Sequence, residues 1–406
     1  NGTWRKDGAG TLSITNNNSE AGGAININAG TFEIGGSGRI KSTSAATGVF
    51  ANAINNEGVF KHNSTLDQTV SGVIGGTGAV VKDNTGTLTL SAANTYSGGT
   101  TINAGTLDLR ATTTTSYNTG NNTFNINNGS TLLLKTGAGS NPIAQGMVIN
   151  FDSNGGGTLT VGNNLNFLLQ NTGFFINTNG GAQNLLSSAG GNINDQGTAT
   201  AVIFNVASGS NATADLLVTG GLSNRNGLTK NGTGKLLFFN TGVGANSGIF
   251  DIRINQGTME FGGTSTLNQY SGRAFTNNGT LSWNSTANQT IANAITGTGN
   301  LTKSNTNTLT LSNSTTSYTG LTTVNAGFLA FGTGALTPSI AAAVTTGASG
   351  VNTVTVSAAD AAKLAVENET LARKQVFEVQ AALLARSLER LQDALGGVKF
   401  EGTAVD

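Results

Sequence analysis

Cysteine is absent from all 406 residues. That removes disulfide staples, thiolate metal sites and cysteine nucleophiles together. Proline occurs twice, at Pro142 and Pro338, which leaves neither a collagen-like nor a polyproline reading. Charged residues make up only 10% of the chain, well below the usual share of about a quarter. Lys plus Arg and Asp plus Glu are both 20, so the net charge is zero. Nucleic-acid binding draws on a basic excess, so no nucleic-acid partner is expected. No apolar run approaches the roughly 18 residues that span a bilayer as a helix, so no transmembrane segment is expected either.

Glycine is plentiful, at 59 residues, and most of it punctuates a repeat. Segments of the form Gly-x-apolar-x-apolar begin at Gly10 (GTLSI), Gly30 (GTFEI), Gly86 (GTLTL), Gly105 (GTLDL), Gly234 (GKLLF), Gly257 (GTMEF) and Gly327 (GFLAF). Most neighbouring copies recur at a spacing in the twenties or just below, as the coils of a repeat architecture do. Within each copy apolar and polar residues alternate, as in Leu88-Thr89-Leu90, which places one side chain inward and the next outward on a strand. The intervening Gly, Asn, Ser and Thr supply turns. One such strand cannot bury its apolar face alone. Stacking the next coil about 4.8 Å further along covers it, so the pattern predicts an all-β parallel solenoid.

A longer echo lies over the short one. NEGVFKHNST (56–65) matches NNGTLSWNST (277–286), and VVKDNTGTLTL (80–90) matches LTKSNTNTLTL (301–311), both at an offset of 221. The body therefore reads as a solenoid over 1–356, with duplicated blocks at about 1–110 and 224–331 and divergent coils at 111–223.

The run GTLTLSAANTYSGGTTINAGTLDL (86–109) closely resembles the passenger-associated repeat of bacterial autotransporters: a GTLTL strand, an NTYxGGT turn, then INAGTL. Residues 307–331 carry a weaker copy, and 10–34 and 234–261 keep the two strands. The resemblance implies a right-handed parallel β-helix exported across the outer membrane through a barrel and exposed at the cell surface. It implies no single activity, since such passengers include adhesins, self-associating proteins, enzymes and toxins.

From Ser357 the composition changes, with 11 charged residues in the 39 of 357–395. Ser357 with Asp360 starts a capping box, and Gly396-Gly397 ends the pattern. A long amphipathic helix is predicted over 357–397, with a tail at 398–406. Phe377, Leu384 and Leu391 are spaced by seven, and Ala381, Leu388 and Leu395 follow each by four. That seam would either cap and line the solenoid, thread a translocating barrel, or join copies into an oligomer or filament.

Candidate chemistry is sparse. A catalytic triad or a histidine-ligated metal would have to use His62, the one histidine, but its counterpart at the 221 offset is Trp283. A bulky strand residue is the simpler reading. Polysaccharide-cleaving solenoids gather carboxylates on adjacent coils; here Glu33, Asp108 and Glu260 share an outward position but lie in separate blocks, which reads as solvated surface. GGTG (75–78) and TGTG (296–299) lack the lysine and helix of a phosphate cradle. No catalytic residue, metal site or cofactor is therefore expected. Outward Asn and Thr rows could bond host or cell-surface glycans, with Tyr96 and Tyr318 as stacking platforms. The expectation is a non-catalytic surface rod acting in adhesion or as a structural element, with host or cell-surface glycans or proteins as its partners. A self-assembling filament or surface-layer subunit, joined through solenoid edges or the terminal helix, and a polysaccharide-active β-helix enzyme stand as the alternatives.

Overall fold

The computed structural model describes residues 2–111, 123–136, 147–162, 166–167, 174–188, 192–195, 202–211, 213–224, 227–244, 251–268, 273–332, 344–346, 353–356 and 383. Of the helix expected at 357–397 only Leu383, helical and exposed, is among them; Phe377, Ala381, Leu384, Leu388, Leu391 and Leu395 lie outside.

Every paired strand runs parallel to its neighbours, and chain order shows why: each strand pairs with the strand one coil earlier and one coil later. Two long sheets of 13 and 14 strands form the first and second faces of the solenoid. A third face lies between the second and the return to the first. It is built from a four-stranded sheet beginning at Trp4–Lys6, a five-stranded one beginning at Asn166–Phe167, and a four-stranded one beginning at Gln289–Ile291. The first two faces run unbroken through the divergent stretch. Coils there are longer: Val80 pairs with Thr100, whereas Ile176 pairs with Phe204, a wider step along the chain. Added residues between strands that keep their register explain why the repeat is hard to see between 111 and 223.

Alternation does what the pattern requires. In Val59–Ser64 and Thr308–Leu311 every second residue is buried and those between are partly open. Inward residues stack like on like along the axis. Phe238, Phe261 and Trp283 are successive inward neighbours with ring centroids 5.5 and 5.0 Å apart. Phe32 and Phe60 stack at 6.4 Å. The core is thus a thin column of apolar side chains, each covered by the coils on either side.

The strand–corner–strand segment recurs on different faces. Residues 80–90 leave the first face and enter the second, whereas their counterparts 301–311 leave the second and enter the third. The duplicated block is rotated by one face about the solenoid axis.

Candidate functional site

The most elaborate polar structure sits at these corners. Lys6, Lys82, Lys230 and Lys303 are each the last inward residue before a corner, and each is buried. The Lys82 Nζ donates to the carbonyls of Asp83 and Asn84, both at 2.6 Å, and of Ala104 on the next coil at 3.0 Å. Lys303 does the same to Ser304, Asn305 and Ala326, Lys230 to Asn231, Gly232 and Gln256, and Lys6 to Asp7, Gly8 and Ala29. All three ammonium hydrogens are used. The second residue after each lysine, Gly8, Asn84, Gly232 or Asn305, takes the left-handed conformation that turns the carbonyls inward. Burial pushes the Lys82, Lys230 and Lys303 ammonium groups down to about 8, which leaves them protonated at neutral pH.

The next coil must come close to close this clamp. Gly105 has φ of 68°, and a Cβ there would stand 2.4 Å from the Asn84 oxygen and 2.8 Å from the Lys82 ammonium. The Ala-Gly before the second strand, Gln256-Gly257 at the Lys230 corner, is therefore the receiving half of the lysine corner. Sequence reasoning aligned Lys82 with Lys303 but assigned them no role; the signal was a lysine followed by Gly or Asn two residues on and by a second Gly one coil later.

The tyrosines expected as glycan platforms are buried instead. Tyr96 is 1% exposed and Tyr318 0%, and each hydroxyl meets an inward threonine, Thr100 or Thr322, at 2.6 Å. Their rings fill the corner of the core, so neither presents a face to a sugar. The outward asparagines are also spent on the fold. Asn125, Asn150, Asn177, Asn205, Asn231 and Asn255 form one ladder along the first face, amide to amide, at 2.7 to 2.9 Å.

Glu33, Asp108 and Glu260 do point outward but are not solvated as expected. Asp108 is 3% exposed and paired with Arg110 at 2.8 Å, while Glu260 pairs with Lys235 at 2.8 Å. Glu33 meets Lys61, which also holds Asp83. Burial acts to raise the Glu33 carboxyl, but hydrogen bonds from Ser13, Lys61 and Asn63 outweigh it and hold it below its ordinary value. Other acids cap turns and the neighbouring coil: Asp67 accepts from the Thr87 amide one coil on, and Asp215 from Gly209 in its own coil and Lys235 in the next. Among the described residues no three His, Cys, Asp or Glu side chains converge as a metal site would need.

His62 is a core residue, fully buried, as is its counterpart Trp283. One shallow groove, lined by Asn288, Gln289, Thr290, Thr308 and Thr310, lies on the four-stranded sheet of the third face that begins at Gln289–Ile291. Its lining is neutral and polar. No helix among the described residues is long and apolar enough to cross a membrane.

Comparison with protein-family models matches the passenger-associated-transport-repeat at residues 5–34, 80–109 and 301–331. Each matched segment spans one lysine corner and the coil that closes it, from Lys6 to Gly30, Lys82 to Gly105 and Lys303 to Gly327. The corner at Lys230 has the same geometry outside the matched residues. No curated protein and no solved structure matches the chain. Three passenger-associated transport repeats, carried on a parallel β-solenoid, fit this chain as the passenger domain of an autotransporter.

Proposed function

We propose that this passenger is a non-catalytic rod exposed at the bacterial surface, acting in adhesion or as a structural element. The observation that carries the reading is where the ionisable side chains are spent. The corner ammonium groups bind backbone carbonyls, and the outward acids bind lysines, arginines or amide hydrogens of adjacent coils. Polar chemistry of that kind stiffens a stack rather than serving a substrate. Long weakly charged faces then offer many equivalent contacts, and affinity would come from their number.

The test is to coat beads with the protein and measure their retention on immobilised glycans and matrix proteins against beads carrying a single-coil peptide. Retention that grows with rod density supports adhesion. Release of reducing ends or shortened chains from a polysaccharide panel would instead establish an enzyme. The heptad seam from Phe377 to Leu395 favours a second reading, self-association into filaments, with expected readouts set out in the Discussion.

A further inference from the structure

One core side chain can change its charge under mild acid. His62 lies on strand Val59–Ser64, fully buried, with Ile34 as its inward neighbour one coil earlier and Lys82 one coil later. Its Nε2 stands 3.1 Å from the Leu66 carbonyl, so that nitrogen carries the hydrogen and donates it. The Nδ1 is buried and has no hydrogen-bond partner. Lys82 gives all three of its hydrogens to carbonyls and has no lone pair to offer a new N–H. A proton on Nδ1 would therefore bury a second positive charge one coil before the lysine that carries the first, with no acceptor facing it.

The surrounding charges do not compensate. Asp67, in the turn after the strand, attracts the imidazolium, but it already accepts the Thr87 amide. Glu33 on the preceding strand, Lys61 on the same strand and Asp83 after the following one stand on the outer side, joined in ion pairs.

The duplicated block supplies an internal comparison. Trp283 occupies the equivalent place, buried one coil before Lys303, which makes the same three carbonyl bonds. Phe204 likewise precedes Lys230. An inward ring under a corner lysine is thus a standing feature of this solenoid, and only at residue 62 can the ring take a proton.

We propose that His62 makes the N-terminal block an acid-sensitive section of the rod: protonation opens the coils around residues 59–64, while the coils around Trp283 stay closed. Burial first, and then the Lys82 ammonium, push the His62 imidazole from 6.5 down to about 4. The opened coil therefore binds its proton near pH 6.5 and the closed coil only near 4. Stability of the closed form is complete above that window and is lost as the pH falls through it. The full change corresponds to about 300-fold in the opening constant.

Because His62 is the one histidine, its ring can be titrated directly by NMR in the unmodified full chain. The expected result is a resonance that stays neutral below about pH 6 until the N-terminal coils open; a simple titration near 6.5 in the folded chain overturns the proposal. Hydrogen exchange, corrected for intrinsic rates, is then compared at about pH 7 and about pH 4.5. Strands 59–64 and 79–82 should lose protection in acid, and strands 280–285 and 300–303 should keep it. The N-terminal block also carries Glu57, Asp67 and Asp83 where the other has Asn278, Asn288 and Ser304, so His62→Phe isolates the histidine. That variant should abolish the difference between blocks. An acid response that persists in it, or one equal in both blocks, would sink the idea. If His62→Phe does not fold, the titration of the unmodified chain still decides.

Discussion

A corner lysine is unusual among buried charges in having, among the described residues, no acid partner within hydrogen-bond reach; carbonyl oxygens from two coils take that place. Replacing Lys82 by Met keeps the stem and strands the three oxygens. The expected cost is about 2–4 kcal/mol, because each buried acceptor left unpaired loses its hydration without return. Chemical denaturation measures it, and an unchanged midpoint would show that water fills the site. The glycine that receives the clamp is equally restricted. Gly105→Ala should cost about 1–3 kcal/mol, since it joins a left-handed backbone to a collision with the Asn84 carbonyl. Gly10→Ala serves as the contrast. Nothing lies within 4 Å of a Cβ there and its φ is not positive, so it should be neutral or slightly stabilising. Sequence alone marked both glycines as the same repeat position, GTL; backbone conformation and contact with the adjoining coil separate them.

At the scale of the element, two glutamines act as pieces of backbone. The Gln68 side-chain amide accepts from the Ile40 N–H at 2.9 Å and donates to the Ile40 carbonyl at 3.1 Å, completing a ladder where the sheet is broken. Gln289, its counterpart in the second block, does the same for Leu267 at 2.9 and 2.9 Å. Gln68→Ala should raise hydrogen exchange at Ile40 and its neighbours and lower stability by about 1–3 kcal/mol. Gln68→Glu keeps the acceptor but loses the donors to Ile40, Gly48 and Thr69, so it should not rescue. Equal exchange at Ile40 in all three proteins would show the bracket to be incidental. The strands themselves were legible, because alternation in TLTL and TLDL admits one inward face. The glutamine brackets were not, since a polar residue in a strand reads as outward until the break it spans is known.

For the whole molecule, stacking sets the dimensions. The 14-stranded second face is about 60 Å long at the usual strand spacing. Negative-stain images of the full chain and of residues 1–356 across a range of concentrations would test self-association. If the seam at 377–395 joins copies, the full chain gives regular bundles or end-to-end chains and the truncation gives single rods. Single rods from both would end the filament reading. The sequence by itself determined that strands recur, alternate and stack in parallel, because period-two patterning at a coil-length interval leaves a thin core no other way to close. It also determined that residues 1–110 echo 224–331. Only the tertiary structure decided what the echo means. The copies occupy different faces, Tyr96 and Tyr318 turn inward to Thr100 and Thr322, and the lysines find carbonyls on the following coil. Those outcomes depend on how many residues each coil spends at its corners, and that number shows itself only when one coil lies against the next.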